Sequence, residues 1–233
     1  MTGSSTESAR RKWLPEMEGA SARRYARLRG SAAQLGEYRR QAAQLATSTP
    51  DGAAVLEVAP GPGYFAIELA KLGRFEVTGL DVSATFVSLA RELARREGVT
   101  AEFLQGDVAT MPFEDGRFDL VVCQAAFKNF ADPLGALGEM HRVLGRGGEA
   151  MIIDMRKDAT NDAIDAQVAA MKLSRVDGWI TGFIFRHTLR DRAYDEADFR
   201  RMAAASPFGA CEVSQDPLAL QVWLRKEDPR QAL

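Results

Sequence analysis

Apolar residues recur along residues 53–154 with two alternating spacings, one typical of strands and one typical of helices. The apolar run 55–58 predicts a short buried strand, and residues 65–72 then carry apolar side chains at helical spacing as far as Gly73. Further strands are predicted at 75–80, 101–105, 118–123 and 150–154. Strands that alternate with helices in this way predict an α/β fold with a doubly wound, mostly parallel sheet.

Two of the intervening helices have clear start signals. Ser83 can cap a helix that ends near Gly98, and Asp132-Pro133 supplies a cap and a first-turn proline for another. Gly145 is predicted to end that second helix. The residues expected to face inward from it are Leu134, Leu137, Met140 and Leu144.

The alternation stops after the fifth strand. Residues 156–194 favour helix by composition, and residues 179–185 within them form an unusually apolar patch. This segment is predicted to be either a helix pair that closes the core or a lid that lines a binding pocket. Beyond it we expect a helix at 196–205 and two strands, 210–214 and 218–224, joined as an antiparallel hairpin by a turn at 215–217.

The N-terminal part of the chain differs in composition from the rest. Residues 1–20 are rich in Ser, Gly, Thr and charge, which predicts a flexible tail. Residues 21–50 are rich in Ala and Arg and predict helices, with breaks at Gly30 and Gly36. Because acids are interleaved with the arginines, we interpret the charge as a solvated helix face, with a patch that binds nucleic acid or an acidic substrate as the alternative. The main domain is then residues 51–233.

Composition narrows the class of protein. The chain has 233 residues, 46% hydrophobic and 27% charged, with a net charge of -2, which disfavours a protein built to bind nucleic acid. Cys123 and Cys211 both fall in predicted strands and are expected to be reduced core thiols. No apolar run approaches the ~18 residues of a membrane span. Residues 1–11 are polar and do not resemble a signal peptide. We expect a cytoplasmic protein without a membrane partner; its oligomeric state is not readable.

The candidate chemistry begins where the first strand ends. Gly61 and Gly63 follow that strand directly and precede a helix, which is the opening of a nucleotide-binding βαβ unit. The second strand ends in Asp81, whose carboxylate can accept hydrogen bonds from both hydroxyls of a ribose. These residues predict a nucleotide-containing cofactor.

Four motifs resemble the class I S-adenosylmethionine-dependent methyltransferases. They are V-L-E-V-A-P-G-P-G, G-L-D-V-S, G-D-V-A-T-M-P-F-E-D-G-R-F-D-L-V-V and E-M-H-R-V-L-G-R-G-G, and they cover about residues 53–154. The resemblance implies a Rossmann-like sheet of seven strands with a C-terminal antiparallel hairpin. It also implies transfer of a methyl group from S-adenosylmethionine to an acceptor by in-line displacement. The acceptor expected here is a small molecule, for example a secondary metabolite.

The resemblance also implies which residues hold the cofactor. Glu57 and the loop would flank its methionine part, Asp81 and Val82 its ribose, and Asp107 and Val108 its adenine. Gln124 would lie over the site, and the N-terminal helices would cover it, with Tyr38 reaching in. The loop residues concerned are Ala59, Pro60, Gly61 and Gly63. Ala59 is a departure, since the family usually has Gly at that position.

The acceptor side is less defined by sequence. Phe127 and Asn129 follow the fourth strand and are predicted to border the acceptor pocket, together with Trp179 and Phe183 of the apolar patch. His187 beside that patch is a candidate general base, with a structural role as the alternative. Methyl transfer from a sulfonium needs alignment more than acid–base groups, so no metal site is expected.

Two other functions stay open at this point. One is a nicotinamide-binding oxidoreductase, because residues 61–66 match G-x-G-x-x-A and Asp81 lies about 20 residues further on. Pro60 and Pro62 weigh against it, since they lack the N–H groups that a pyrophosphate needs. The other is a methyltransferase-fold protein that binds S-adenosylmethionine without transferring its methyl group.

Overall fold

One mixed sheet organises the part of the chain that the computed structural model describes, residues 17–171 and 173–228. Within these residues seven strands lie in the order β3-β2-β1-β4-β5-β7-β6. The strands are β1 Ala54–Val58, β2 Glu76–Asp81, β3 Glu102–Gln105, β4 Phe118–Gln124, β5 Leu144–Met155, β6 Glu212–Gln215 and β7 Ala219–Arg225. Strands β1 to β5 pair in parallel, and β7 is antiparallel to both β5 and β6. The predicted fold with its C-terminal hairpin is therefore confirmed.

Helices cover both faces of this sheet. They are α1 Gly19–Arg29, α2 Ala32–Leu45, α3 Tyr64–Ala70, α4 Ala84–Glu97, α5 Pro133–Val143, α6 Asn161–Ala170, α7 Arg175–Ile184, α8 Arg190–Arg192 and α9 Glu196–Ala205. A single 3-10 turn at Phe127–Asn129 follows β4, and a π-helical turn at Phe185–Leu189 joins α7 to α8. None of the helices in the described residues has the length and apolar character needed to cross a membrane.

The two apolar layers of the core lie on opposite faces of the sheet. Helices α2, α3 and α4 pack on one face, where Phe65, Val122 and Met151 belong to one buried cluster. Helices α5 and α9 pack on the other face, where Leu137 and Phe199 belong to a second cluster. In this order β2 and β3 lie on one side of β1, and β4 and β5 lie on the other. The strand order therefore reverses direction at β1, between β1 and β4. Ligands bind beyond the carboxyl ends of the strands at such a reversal.

Several local boundaries differ from the prediction. Gly30 ends α1, but Gly36 lies inside α2. The burial of Tyr38 and Ala42, on the helix that packs against α3, outweighs the ~1 kcal/mol helix penalty of one glycine. The predicted tail at 1–20 is too long by two residues at least, because α1 begins at Gly19. Residues 1–16 lie outside the described residues.

The start of β5 also differs. Helix α5 ends at Val143, and Leu144 has an extended backbone and begins β5, so Gly145 belongs to the strand rather than to the end of the helix. Leu134 is exposed, because the buried face of α5 begins two residues later at Ala136. Cys211 is half-buried and precedes β6, so it is not a core thiol of a strand, whereas Cys123 is.

A buried ion pair fastens the loop after β4 to the end of β5. Lys128 Nζ lies 2.6 Å from Asp154 Oδ1, and both side chains are at least 96% buried. The other carboxylate oxygen of Asp154 accepts the Lys128 N–H at 2.9 Å, and Lys128 Nζ also donates to the Ala125 carbonyl at 2.7 Å. Ala125 has a left-handed backbone, with φ of 56°. The ion pair therefore supports a strained turn at the carboxyl edge of the sheet.

We expect Lys128→Met to lower the free energy of unfolding by about 3–5 kcal/mol, because it leaves the Asp154 carboxylate buried without its cation. Urea unfolding followed by circular dichroism measures this. The matched control is Arg225→Met, which removes a pair to Glu149 whose arginine is 71% exposed, and it should cost about 0–1 kcal/mol. Equal losses in the two variants would contradict the role assigned to the buried pair.

Candidate functional site

The loop between β1 and α3 makes a sharp turn at the carboxyl edge of the sheet. Ala59, Gly61 and Gly63 all have positive φ, at 52°, 56° and 77°. Ala59 occupies a conformation that favours glycine, so the residue that departs from the methyltransferase pattern carries backbone strain of about 1–2 kcal/mol. Its N–H donates to the Leu80 carbonyl of β2 at 2.7 Å, which helps to hold that strained residue.

The two glycines have different roles in this loop. A Cβ added to Gly63 would lie 2.9 Å from both Ala90 Cβ and Phe103 Cε1, so Gly63 allows close packing of the loop against α4 and β3. A Cβ added to Gly61 would approach one ring atom of Tyr25 at 3.9 Å. Gly61 thus leaves room for a ligand to approach the backbone, and Tyr25 of α1 lies above it.

Asp81 lies at the end of β2 and is buried against the same loop. Its Oδ2 accepts the Gly61 N–H at 2.8 Å, and its Oδ1 accepts the Ser83 N–H at 2.9 Å. A carboxylate has about four acceptor positions, so one group can hold a loop and also accept from the two hydroxyls of a ribose. The ribose role of Asp81 stays a prediction.

Glu57 lies in the middle of this arrangement, on β1. Its side chain faces α3, and its Oε2 accepts the Ala66 N–H at 3.0 Å. Burial, together with the nearby charge of Asp81 and against the effect of that hydrogen bond, raises the pKa of Glu57 from 4.5 to about 8. A cationic group brought beside Glu57 would favour its ionised form. The site is therefore suited to a ligand with a cationic amino group.

The first N-terminal helix lies over the end of β2. Ser83 Oγ donates to the Met17 carbonyl at 2.8 Å, and the Gly19 N–H donates to Thr85 Oγ1 at 3.0 Å. Further along α1, the Tyr25 ring contacts Phe86 edge-on, with 5.8 Å between centroids. These contacts hold α1 against the start of α4, beside Asp81.

Tyr38 is held by an arginine that the sequence did not single out. The Arg29 guanidinium donates to Tyr38 Oη at 2.5 Å, and the Tyr38 ring stacks on Tyr64 with 6.3 Å between centroids. Burial raises the pKa of Tyr38 to about 12 despite the opposing effect of Arg29, and Glu57 is among the charges that raise it. Its phenol therefore stays protonated. The predicted site residue Tyr38 lies near Glu57, and Arg29 joins it from the end of α1.

The residues predicted to surround an adenine lie beyond β3. The Gly106 N–H donates to the Asp81 carbonyl at 3.0 Å, so the segment after β3 is fixed beside the end of β2. Asp107 is exposed, and its Oδ1 accepts the Ala109 N–H at 3.0 Å. Val108 is half-buried, and Val82, also half-buried, accepts at its carbonyl from Gln105 Nε2 at 3.1 Å.

Gln124 is the last residue of β4 and lies between the loop 59–63 and a groove. Its neighbour Cys123 pairs with Val58 of β1, and Gln124 itself pairs with Ile153 of β5. Gln124 lines a groove of about 440 Å³, and its Nε2 is buried with no hydrogen-bond partner among the described residues. Gln124, which was predicted to lie over the cofactor site, therefore borders this groove.

Two residues that were predicted to border the acceptor pocket lie after β4, and they differ in how exposed their side chains are. Phe127 is fully buried and packs against Phe130, Tyr194 and Phe199, with centroid distances of 5.4, 5.9 and 5.4 Å. Phe127 is thus part of the core cluster between β4 and α9, and its predicted place at the border of an acceptor pocket stays a prediction. Asn129 is exposed at the end of the 3-10 turn.

The other predicted acceptor residues lie on α7 and the π-helical turn. The rings of Trp179 and Phe183 stack with 6.1 Å between centroids, and the two residues are 73% and 51% exposed. The ring centroids of His187 and Phe183 are 4.7 Å apart. None of the three is among the described residues that line the groove beside Gln124. The lid at 156–194 and the base role of His187 stay predictions.

Comparison with known proteins finds similarity to methyltransferases. Residues 56–152 match the family model described as a methyltransferase domain. A demethylmenaquinone methyltransferase from Thermus thermophilus is 36% identical over 118 residues, which are 50% of this chain and 53% of that protein. The chain thus spans about half the length of this relative.

Solved structures show the same fold at low sequence identity. A structure from Methanococcus maripaludis has a TM-score of 0.76 and 19% identity, and the match covers 92% of this chain and 96% of that one. A SAM-dependent methyltransferase from Aquifex aeolicus has a TM-score of 0.66 and 17% identity, over 88% of this chain and 98% of that one.

The raised pKa of Glu57 predicts a pH dependence of stability. An acid whose pKa is about 8 when folded and 4.5 when unfolded keeps its proton longer in the folded state. Its contribution to the free energy of unfolding is therefore present below about pH 4.5 and is lost as the pH rises towards about 8. Glu57→Gln should show a smaller decline across this window than the wild type, by urea unfolding at several pH values.

Glu76→Gln is the matched control for this measurement. Glu76 is exposed at the opposite end of β2, so this variant should keep the pH dependence of the wild type. A Glu57→Gln variant whose stability declines as steeply as that of the wild type would show that Glu57 titrates normally.

Proposed function

We propose that this chain, which is similar to methyltransferases over residues 56–152, is a class I S-adenosylmethionine-dependent methyltransferase that transfers a methyl group to a small organic acceptor. The observation that carries the proposal is the pair of buried carboxylates, Glu57 and Asp81, on either side of the left-handed loop 59–63. They suit a cofactor that has an ammonium group at one end and a ribose further along.

The hydrogen bonds of the loop argue against a dinucleotide. The N–H groups of Ala59, Gly61 and Gly63 donate to Leu80, Asp81 and Pro60 within the protein. The two remaining loop residues are prolines, which have no N–H. Since a pyrophosphate is bound by N–H groups that point at it, this loop is unsuited to the nicotinamide cofactor considered from sequence.

The chemistry proposed here needs little from acid–base groups. When bound, S-adenosylmethionine would supply a methyl carbon activated by its positive sulfur; the sulfur would keep the bonding electron pair, and the acceptor would gain the methyl group and lose a proton. The protein residues would orient the two molecules and exclude water. Glu57 and Asp81 would hold the cofactor, and α1 and α2, with Tyr25 and Tyr38, would cover it.

The acceptor class is inferred from the relatives. The Thermus relative is named for demethylmenaquinone, a small-molecule quinone, and another relative of 36% identity is named a ubiquinone/menaquinone C-methyltransferase. We therefore propose a quinone-type ring, in its reduced hydroxyl form, as the acceptor. The expectation of a secondary metabolite has no support among these relatives.

Asp81→Ala should weaken S-adenosylmethionine binding by at least ~10-fold, because a charge-assisted hydrogen bond contributes about 1.5–3 kcal/mol. Calorimetry measures this, with circular dichroism to show that the fold is retained. Glu76→Ala at the other end of the same strand should bind like the wild type. Tight binding of NAD by the wild-type protein, with no measurable binding of S-adenosylmethionine, would overturn the proposed function.

A methyl-transfer assay separates an enzyme from a protein that binds the cofactor without using it. Reduced quinones incubated with the protein and S-adenosylmethionine should gain the mass of one methyl group. Cofactor binding without mass gain in any acceptor offered would favour the binding protein.

A further inference from the structure

A groove of about 440 Å³ lies between α2 and the strands β5 and β7. Met151, Ile153 and Trp223 form its floor, and Gln41 and Leu45 of α2 form one wall. The floor is made of two aliphatic or thioether side chains and one indole. Such a floor suits the face of a flat ring.

The sheet register puts this groove next to Glu57 and the loop 59–63. Across the strands, Glu57 pairs with Val122, Val122 with Met151, and Met151 with Trp223, so these four side chains form one row on one face. In the next row, towards the carboxyl edge, Gln124 pairs with Ile153. A molecule in the groove would therefore lie on the same face as Glu57, with Gln124 between it and the loop 59–63.

Two of the glutamines that line the groove each have a buried amide atom without a hydrogen-bond partner. Gln124 Nε2, a donor, and Gln41 Oε1, an acceptor, make no hydrogen bond with any described residue. The Nε2 of Gln41 is committed to Glu37 at 3.0 Å, which fixes its oxygen as the free atom. Burying an unpaired polar atom is costly, so such atoms indicate a ligand or water that completes them.

The charge of the groove narrows the ligand further. Glu37 and Asp216 are the charged residues among those that line it, and within the described chain no Lys, Arg or His does so. Acidic side chains would repel a carboxylate or a phosphate. The charges of the groove therefore disfavour an anionic ligand.

We propose that this groove is the acceptor site and that it binds a neutral, flat ring with oxygen substituents; the inference rests on the proposed function. On binding, the Gln124 amide rotates so that its Nε2 donates to one ring oxygen, and the Gln41 amide rotates so that its Oε1 accepts from a ring hydroxyl. The ring lies against Met151 and Trp223, and its reacting edge points past Gln124 towards the cofactor. The apolar face of α7 is not part of this site.

The test uses naphthohydroquinone as the probe, under anaerobic conditions, on the full chain with S-adenosylhomocysteine present. In Gln41→Leu and in Gln124→Leu its Kd should rise about tenfold, the factor that one neutral hydrogen bond supplies. Gln167→Leu, the same change on an exposed residue of α6, should bind the probe like the wild type. In Gln41→Leu the affinity for S-adenosylhomocysteine should be unchanged.

A second readout reports where the probe lies. The measurement is the NMR signal of each indole N–H, assigned with the variants Trp223→Phe and Trp179→Phe. The signals of Trp223 and Trp179 should respond differently, because Trp223 lies on the groove floor and Trp179 lies on α7. The probe should shift the Trp223 signal and leave that of Trp179 in place.

Three results would overturn or redirect the inference. A shift of Trp179 alone, with unchanged Kd in both glutamine variants, would put the acceptor on α7. Absence of probe binding while S-adenosylhomocysteine binds would refute the groove as a ring site and leave the proposed function intact. Absence of S-adenosylhomocysteine binding to the wild type would refute the proposed function itself.

Discussion

The hydrogen bond from the Gly61 N–H to the Asp81 carboxylate joins the ends of two parallel strands, and the candidate site is arranged around it. The same loop is tied to β2 a second time, through the Ala59 N–H and the Leu80 carbonyl. Because these bonds lie within the protein, the shape of the loop does not depend on a ligand. A cradle that is already ordered saves the entropy that binding would otherwise cost. The strain at Ala59 is the energetic cost of that order.

How much of the fold could be predicted depended on whether the signal was local. Ser83 and Asp132 cap their helices as predicted, because a cap needs a side chain and the N–H three residues further on. Gly36 could not be placed from local propensity, since α2 is kept continuous by its packing against α3. The end of α5 at Val143 was missed for the same reason, because Leu144 is drawn into pairing with Phe118.

The candidate site shows the same division. The loop glycines and Asp81 were predictable because each follows an apolar strand directly in sequence. Arg29 was not, since its contact with Tyr38 depends on how α1 and α2 fold back on each other. The burial of Phe127 was not predictable either, because Tyr194 and Phe199, which pack against it, lie about seventy residues away in sequence. Gln41 gave no signal at all, because a glutamine on a helix is ordinary until its oxygen is seen to lack a partner.

The buried Glu57 gives the proposed site a preference for cations. Its raised pKa means that near neutral pH this carboxyl is held largely as the neutral acid. A ligand with a positive amino group would favour the ionised form and displace a proton, since opposite charges at short range offset the desolvation of the carboxylate. A neutral analogue could not do this and would leave the proton in place. Discrimination in favour of a cationic cofactor therefore follows from the burial of one carboxyl beside a second one, Asp81, and does not require a dedicated contact for every atom of the ligand.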